Sequence, residues 1–288
     1  MCESVLVAGG ATESGESGCL SSTELVSWSS ADKKFISTKL GAELLQPLRS
    51  PSLALHRNRL LLLGGCQAPG LHSAAIYALQ SGGGWEEVGR LKEARSCAMT
   101  ASLGDELIVL GGWNGRECLA SVEGVPTSQT KDWGNLAGAC KNGWAGLRMV
   151  LPGSEMVLVF GGYDGRETRR SVFAYTPGGV SMPACLPRPV EGHSGAYSST
   201  LGCFIISGGY DGIRVVPDLL LYRQDHRTLE ATVKLSRARE NHGSAVLLVD
   251  GQEYLLVFAG WDGFQALDDM EVFRPEIGLD MLLFQMTV

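Results

Sequence analysis

The chain has 288 residues, 31 acidic against 24 basic, and a net charge of −7, which argues against a nucleic-acid or anionic-membrane partner. No apolar run approaches the roughly 18 residues of a spanning helix, and the first residues show no leader-like pattern, so the expected compartment is the cytoplasm, with the nucleus as a second setting. The eight cysteines form no CxxC pair and no ligand-spaced group with the five histidines; free thiols in a reducing compartment are expected, with no metal and no cofactor.

In chain order, short apolar runs rich in β-favouring residues read as strands. The first is Ser4-Val5-Leu6-Val7-Ala8, which runs into Gly9-Gly10. A long polar loop follows at 11–22, then a strand at 24–28 and another opened by Phe35-Ile36. From there the layout repeats in fours: 52–55, 60–63, 74–77 and 85–88, then 97–101, 107–110, 121–125 and 133–136. The next group is 147–151, 156–160, 171–175 and 180–182, followed by 195–198, 203–207, 219–222 and 229–233. The last is 244–249, 254–258, 270–273 and 281–284, which brings the expected total to 23 strands. No window carries a sustained helical stripe.

Each second strand ends in small residues: Gly9-Gly10, Gly64-Gly65, Gly111-Gly112, Gly161-Gly162, Gly208-Gly209 and Ala259-Gly260. The second glycines, Gly10, Gly65, Gly112, Gly162, Gly209 and Gly260, are 55, 47, 50, 47 and 51 residues apart. A period near 50 is the mark of a propeller or array. An aromatic closes the third strand at Tyr77, Tyr175, Tyr222 and Phe273, with Val125 in its place once, and Trp85, Trp133, Phe35, Leu229 or Met281 starts the fourth. Trp113-Asn114-Gly115, Tyr163-Asp164-Gly165, Tyr210-Asp211-Gly212 and Trp261-Asp262-Gly263 follow the small pairs. Recurrence within one chain points to packing and turn formation in every repeat.

These glycine pairs, the aromatic–Asp/Asn–Gly step and the strand-closing aromatics resemble the kelch repeat family, over residues 4 to 286. The resemblance implies an all-β, six-bladed kelch-type β-propeller with four-stranded antiparallel blades, one domain over 1–288. Its repeats are expected near 1–46, 47–92, 93–140, 141–188, 189–236 and 237–288. Repeat one has no first strand before Ser4, so either the first blade is three-stranded or Met1 is not the start of the parent protein.

In such a fold the loops after the glycine pairs and the links into the next first strand share one face. That places Arg49, Arg95, Arg239, Arg116, Arg166, Arg214, Phe264, Trp144 and His193 as a candidate partner-binding rim. Arginine offers a bidentate fork for carboxylates, and aromatics offer rigid contact area. Catalytic signals are poor: His56, His72, His193, His226 and His242 have no ligand spacing, and no nucleophile or phosphate motif is present. His193 and His242 read as turn or packing residues, and Glu117 and Glu167 as loop ion-pair partners.

The resemblance implies a non-enzymatic protein-binding module, a substrate-recognition propeller of a ubiquitin-ligase adaptor or a cytoskeletal scaffold. A cullin-ligase complex would need a BTB domain elsewhere. The alternative is a small-molecule enzyme on the same fold, such as a sugar mutarotase, using Glu167 with Arg166 or Glu240 with Arg239 in a channel mouth. A copper oxidase is disfavoured. On the rim reading, Arg95→Ala and Arg239→Ala are expected to weaken partner binding while leaving thermal melting almost unchanged.

Overall fold

The computed structural model describes residues 4–14, 16–103, 106–125, 145–150, 156–176, 179–223, 228–230, 233–275 and 281–286. The expected strand at 133–136 and its Trp133 lie outside them, as does Trp144. Among the described residues every regular element is a strand.

The first sheet has β1 (Ser4–Ala8), β2 (Thr23–Ser29) and β3 (Lys34–Lys39) in that order. The second joins β4 (Ser52–His56), β5 (Arg59–Leu63), β8 (Ala75–Leu79) and β9 (Trp85–Arg90). Between its middle strands, β6 (Cys66–Ala68) and β7 (Leu71–His72) form a small ribbon where no strand is expected from the sequence. A third sheet holds β10 (Met99–Leu103), β11 (Glu106–Leu110) and β12 (Val122–Val125).

The fourth sheet is β13 (Ala145–Val150), β14 (Val157–Tyr163), β15 (Thr168–Thr176) and β16 (Gly179–Cys185). The fifth is β17 (Ser194–Ser198), β18 (Cys203–Ser207), β19 (Leu219–Arg223) and β20 (Thr228–Glu230). The sixth is β21 (Gly243–Val249), β22 (Gln252–Phe258), β23 (Met270–Pro275) and β24 (Met281–Met286). Neighbouring strands pair antiparallel in the second to sixth sheets, as do β2 and β3 in the first. In the fourth, β14 and β15 continue past the glycine pair through a register shift between Phe160 and Gly162.

The contacts gather into two compact units. One holds residues 1–7, 23–40 and 192–288, hence the first, fifth and sixth sheets; the other holds 8–22 and 41–191, with the second, third and fourth.

Why the second strands are continuous apolar runs follows from their neighbours. A strand covered on both faces has no polar side to show. In one unit, Leu255 and Val257 of β22 pack with Cys203, Ile205, Leu219 and Leu221 of the fifth sheet. The alternate residue Leu256 joins Val26 and Phe35 of the first sheet. Trp28, on β2, stacks on Tyr254 with centroids 6.0 Å apart. In the other unit, Leu107 and Val109 of β11 face Leu61, Leu63 and Ile76. Ile108 and Leu110 face Val157, Val159 and Tyr175. First strands of successive sheets also adjoin: Ser52 Oγ donates to the Ala98 carbonyl at 2.5 Å, and the Ser194 and Ser244 hydroxyls lie 2.8 Å apart.

Arg95 and Arg239 are wholly buried, at 0% exposure each, which removes them from the rim. Arg95 donates to Glu123 at 2.5 Å, to the Ser121 hydroxyl at 2.9 Å and to the Gly111 carbonyl at 2.7 Å. Glu123 in turn accepts the backbone N–H groups of Lys92 and Glu93. Burial pulls the Arg95 pKa down, while Glu123 and Glu93 pull it up. Arg239 repeats the arrangement with Glu271 at 2.7 Å and Asp269 at 2.9 Å, and Glu271 accepts from the Ser236 and Arg237 N–H groups.

Arg49 is not their counterpart. Gly65 N donates to the Arg95 carbonyl, Gly209 N to that of Arg239, and Gly10 N to that of Leu48. The position matching Arg95 is therefore Leu48, and the position matching Glu123 is Tyr77. Both are buried, so one repeat uses apolar side chains where two others use an ion pair. The same register shows that Leu79, not Tyr77, stands where the third-strand aromatic was expected in that repeat.

Removing one partner of a buried ion pair strands the other charge in a dry interior. Arg239→Ala is expected to cost about 3–5 kcal/mol and to lower Tm sharply in a thermal melt. Arg95→Leu is expected to do the same, and adding Glu123→Tyr should restore part of the loss. Parent-like melting of both single variants would remove these arginines from the scaffold.

Candidate functional site

The site candidate is built from turns. After the second strand of four sheets the chain makes one recurring structure, started by Asn114, Asp164, Asp211 or Asp262. The side-chain oxygen of each accepts two backbone N–H groups, those two and three residues on, at 2.8–3.0 Å. This is the Asx turn that short acidic and amide side chains favour. Gly115, Gly165, Gly212 and Gly263 follow at φ of 90° to 100°. Flanking bridges Trp113–Cys118, Tyr210–Val215 and Trp261–Ala266 close three of these loops at the base.

The carboxylates respond to their partners. The Gln265 and Phe264 N–H groups hold Asp262 below the ordinary range. Burial alone would raise Asp164, but the N–H groups of Glu167 and Arg166 and the Arg169 guanidinium outweigh it and bring it down. The aromatic–Asp/Asn–Gly step therefore frames the turn, as recurrence suggests.

The frame fixes which residue is the tip. Counting from the turn acid or amide, Arg116, Arg166, Ile213 and Phe264 hold the same place. Arg214, taken from sequence as the partner of Arg116 and Arg166, sits one step later, where the others have Glu117, Glu167 and Gln265. All four tips are exposed; Ile213 is 87% exposed and Phe264 91%.

Within each unit these loops adjoin. A Cβ added at Gly263 would lie 3.6 Å from Val215 Cγ2, so the turns carrying Phe264 and Ile213 are neighbours. In the other unit Cys118 Sγ approaches the Tyr163 carbonyl at 3.6 Å, which sets the Arg116 and Arg166 turns side by side. Gly115 backs onto His72, and the Cys19 Sγ lies 3.3 Å from the Cys66 carbonyl, so the 11–22 and 66–72 loops continue the same row.

The remaining sequence candidates fall elsewhere. Arg49 is half-buried and donates to the Glu13 carbonyl at 2.7 Å, tying down the long first loop. His193 is buried and so presents no rim surface. His242 is also buried, with its Nε2 2.8 Å from the Ser207 hydroxyl. Trp144 lies outside the described residues. Arg239 is sealed in the interior, so Glu240 with Arg239 cannot front a channel mouth as an acid–arginine pair. Glu167 is taken up by Arg169 at 2.6 Å.

Sequence reasoning missed two things. Ile213 was legible only through turn register, which residue type obscured. The second is a group on the first two loops, Glu16, Cys66 and His72. Beside it a cavity of about 490 Å³ is lined by His72, Gln46, Tyr77, Glu87 and Arg90 among others.

No protein-family model matches the chain, and no curated protein matches it in sequence. Among solved structures, that of YjhT superposes with a TM-score of 0.69 over 96% of this chain and 97% of its own, at 14% identity. At that identity the likeness is one of fold. No helix among the described residues is long and apolar enough to cross a membrane.

Burial, then the charge of Arg239 and the proximity of His193, push His242 from 6.5 down to about 3. The folded chain keeps this ring neutral where the unfolded chain protonates it, so unfolding takes up protons below the unfolded pKa. Stability conferred by the neutral ring is full above that pKa and falls as pH drops toward the folded value. Tm is expected to decline between about pH 7 and about pH 5, and His242→Gln should flatten that decline in a melting series. An unchanged slope would place the acid sensitivity elsewhere.

Proposed function

We propose that this chain is a non-enzymatic protein-binding module whose contact surfaces are the exposed turn tips, Ile213 and Phe264 in one unit and Arg116 and Arg166 in the other. The observation that carries it is the pairing of a constant frame with a changing, exposed tip. Four turns share their acid or amide, their glycine and their backbone hydrogen bonds, whereas the tips are Arg116, Arg166, Ile213 and Phe264. A fold-making role would not require the tip to leave the protein. Large apolar side chains that stay in water on adjoining rigid turns fit a docking surface better than a scaffold. Rigid turns also reduce the ordering cost of association.

The wider architecture we propose is a six-bladed β-propeller of the kelch type. Six glycine-marked sheets in chain order support it, as does the shared core of the first and last sheets. The ligase-adaptor and cytoskeletal roles are finer versions of this reading that rest on the sequence resemblance alone. The mutarotase alternative needs a polar pocket with an acid and an arginine, and the cavity containing Glu87 and Arg90 is the place to test it.

The experiment is affinity capture from cells with the parent chain and with Ile213→Ser/Phe264→Ser. Both positions are exposed, so Tm should shift little while one dominant protein disappears from the capture. Retention of every captured protein by the variant would sink the tip reading. A capture with no specific protein, together with a thermal shift on adding a sugar, would favour the small-molecule alternative.

A further inference from the structure

The geometry points to a zinc-type metal site that clamps the first long loop onto the second sheet, with Glu16, Cys66 and His72 as ligands. One ligand atom from each lies within 4.8 Å of the others. His72 Nε2 is 3.4 Å from Glu16 Oε1. Ligands at adjacent corners of a tetrahedron stand roughly 3.3–3.8 Å apart when metal bonds are about 2.0–2.3 Å. That pair is therefore already at ligand spacing, and the Cys66 thiol needs only a small rotation or shift to complete a face.

His72 supplies the independent observation. Its side chain is 1% exposed, and neither ring nitrogen has a hydrogen-bond partner among the described residues. A buried polar ring without a hydrogen bond carries a desolvation cost that something must offset. The ring is also held in place: Gly115, at φ +94°, would bring a Cβ to 3.0 Å from His72 Cδ2. The 3.4 Å approach to Glu16 falls short of a hydrogen bond, although the two groups are close enough for charge attraction. A cation between them would satisfy both.

The other two ligands are positioned as firmly. Glu16 accepts the Gly70 N–H through its second oxygen at 2.6 Å, which leaves Oε1 for the site. Cys66 is buried, and its backbone is locked to Arg49 by paired hydrogen bonds. Cys19, whose Sγ lies 3.3 Å from the Cys66 carbonyl, adjoins the group and is the nearest candidate for the fourth corner, with water as the other. The donors then read Glu16-x2-Cys19 on one loop and Cys66-x5-His72 on the next. Thiolate, imidazole and carboxylate together are the donor set of zinc rather than of calcium or magnesium.

Without a cation the Cys66 thiol is pushed up to about 11, by burial first and then by Glu16 and Cys19. A dication reverses that sign, so binding releases the thiol proton to solvent as the sulfur–metal bond forms. No redox change is involved. The consequence is mechanical: two loops joined through Glu16 on Gly70 and Cys19 on the Cys66 carbonyl would gain a rigid cross-link beside the Gly115 turn.

The test uses the full chain after chelator treatment, titrated with Zn²⁺ alone and, separately, with Co²⁺ alone. The expected result is one equivalent bound, a rise in Tm with Zn²⁺, and a thiolate-to-cobalt charge-transfer band with Co²⁺. Cys66→Ser should weaken the band, and Cys19→Ser/Cys66→Ser should abolish it. Glu16→Gln, on a half-exposed loop residue, should weaken Zn²⁺ by about tenfold or more while the metal-free chain melts as the parent does. Absence of a thiolate band, a band undiminished in Cys66→Ser, or unchanged affinity in Glu16→Gln would each overturn the site. Should Cys66→Ser fail to fold, the Glu16→Gln affinity and the parent's cobalt spectrum decide the matter.

Discussion

One backbone contact recurs in four of the six repeats, where the strand before the glycine pair ends, and much of the architecture hangs from it. The second glycine of the pair donates its N–H to a carbonyl in the segment leading to the next sheet: Gly10 to Leu48, Gly65 to Arg95, Gly162 to Val190 and Gly209 to Arg239, at 2.7–2.8 Å. The bond brings two backbones so close that the preceding residue has no room for a side chain. A Cβ at Gly64 would lie 2.2 Å from the Arg95 carbonyl oxygen, and one at Gly208 would lie 2.3 Å from that of Arg239. Both glycines also sit at positive φ, where an L-residue is strained. Each of these four sheets is thereby tied to the segment that opens the next, and the chain after the pair is free to turn.

What fills the space behind that contact is negotiable. Two repeats place an arginine there and answer it with a glutamate on the third strand. A third uses Leu48 and Tyr77. Buried ion pairs and apolar side chains of similar volume are close in free energy, whereas a lone charge is not. The substitution is therefore tolerable only when both partners change together, and the sequence obeys that rule. This explains why the arginines misled a reading by residue type. An arginine in a loop is normally solvated, and its glutamate lies about thirty residues away, invisible to local pattern. Arg49, by contrast, is a loop arginine in the ordinary sense, one step out of register.

The strands were legible because burial on both faces leaves a signature in the sequence itself. Runs such as Leu107-Ile108-Val109-Leu110 have no polar alternation to confuse with a surface strand. Turn frames were legible for a similar reason, since Asp or Asn before glycine has a local physical cause. The tips were not, because nothing in the sequence says which residue beyond the glycine is lifted furthest into solvent. Ile213, and not Arg214, stands with Arg116 and Phe264 by its place after the glycine, and the two N–H groups bound by Asp211 confirm that the turn is the same. Glu16, Cys66 and His72 were hidden by distance along the chain: loops some fifty residues apart meet because successive repeats are neighbours.

These features separate the molecule's two demands on its loops. The base of each turn must be the same in every repeat, since it meets the same backbone geometry. The tip meets only solvent, so its chemistry can drift without cost to the fold. Ile213 and Phe264 give one unit apolar tips, whereas Arg116 and Arg166 give the other cationic ones. That contrast cannot come from folding, which is indifferent to both. It arises where the fold exerts no control, so a surface can specialise there without loss of stability. The long first loop extends the same logic in the other direction. It lacks the short Asx frame of its counterparts, and it is held instead by Arg49, by Glu16 on Gly70 and by the buried His72 beside it.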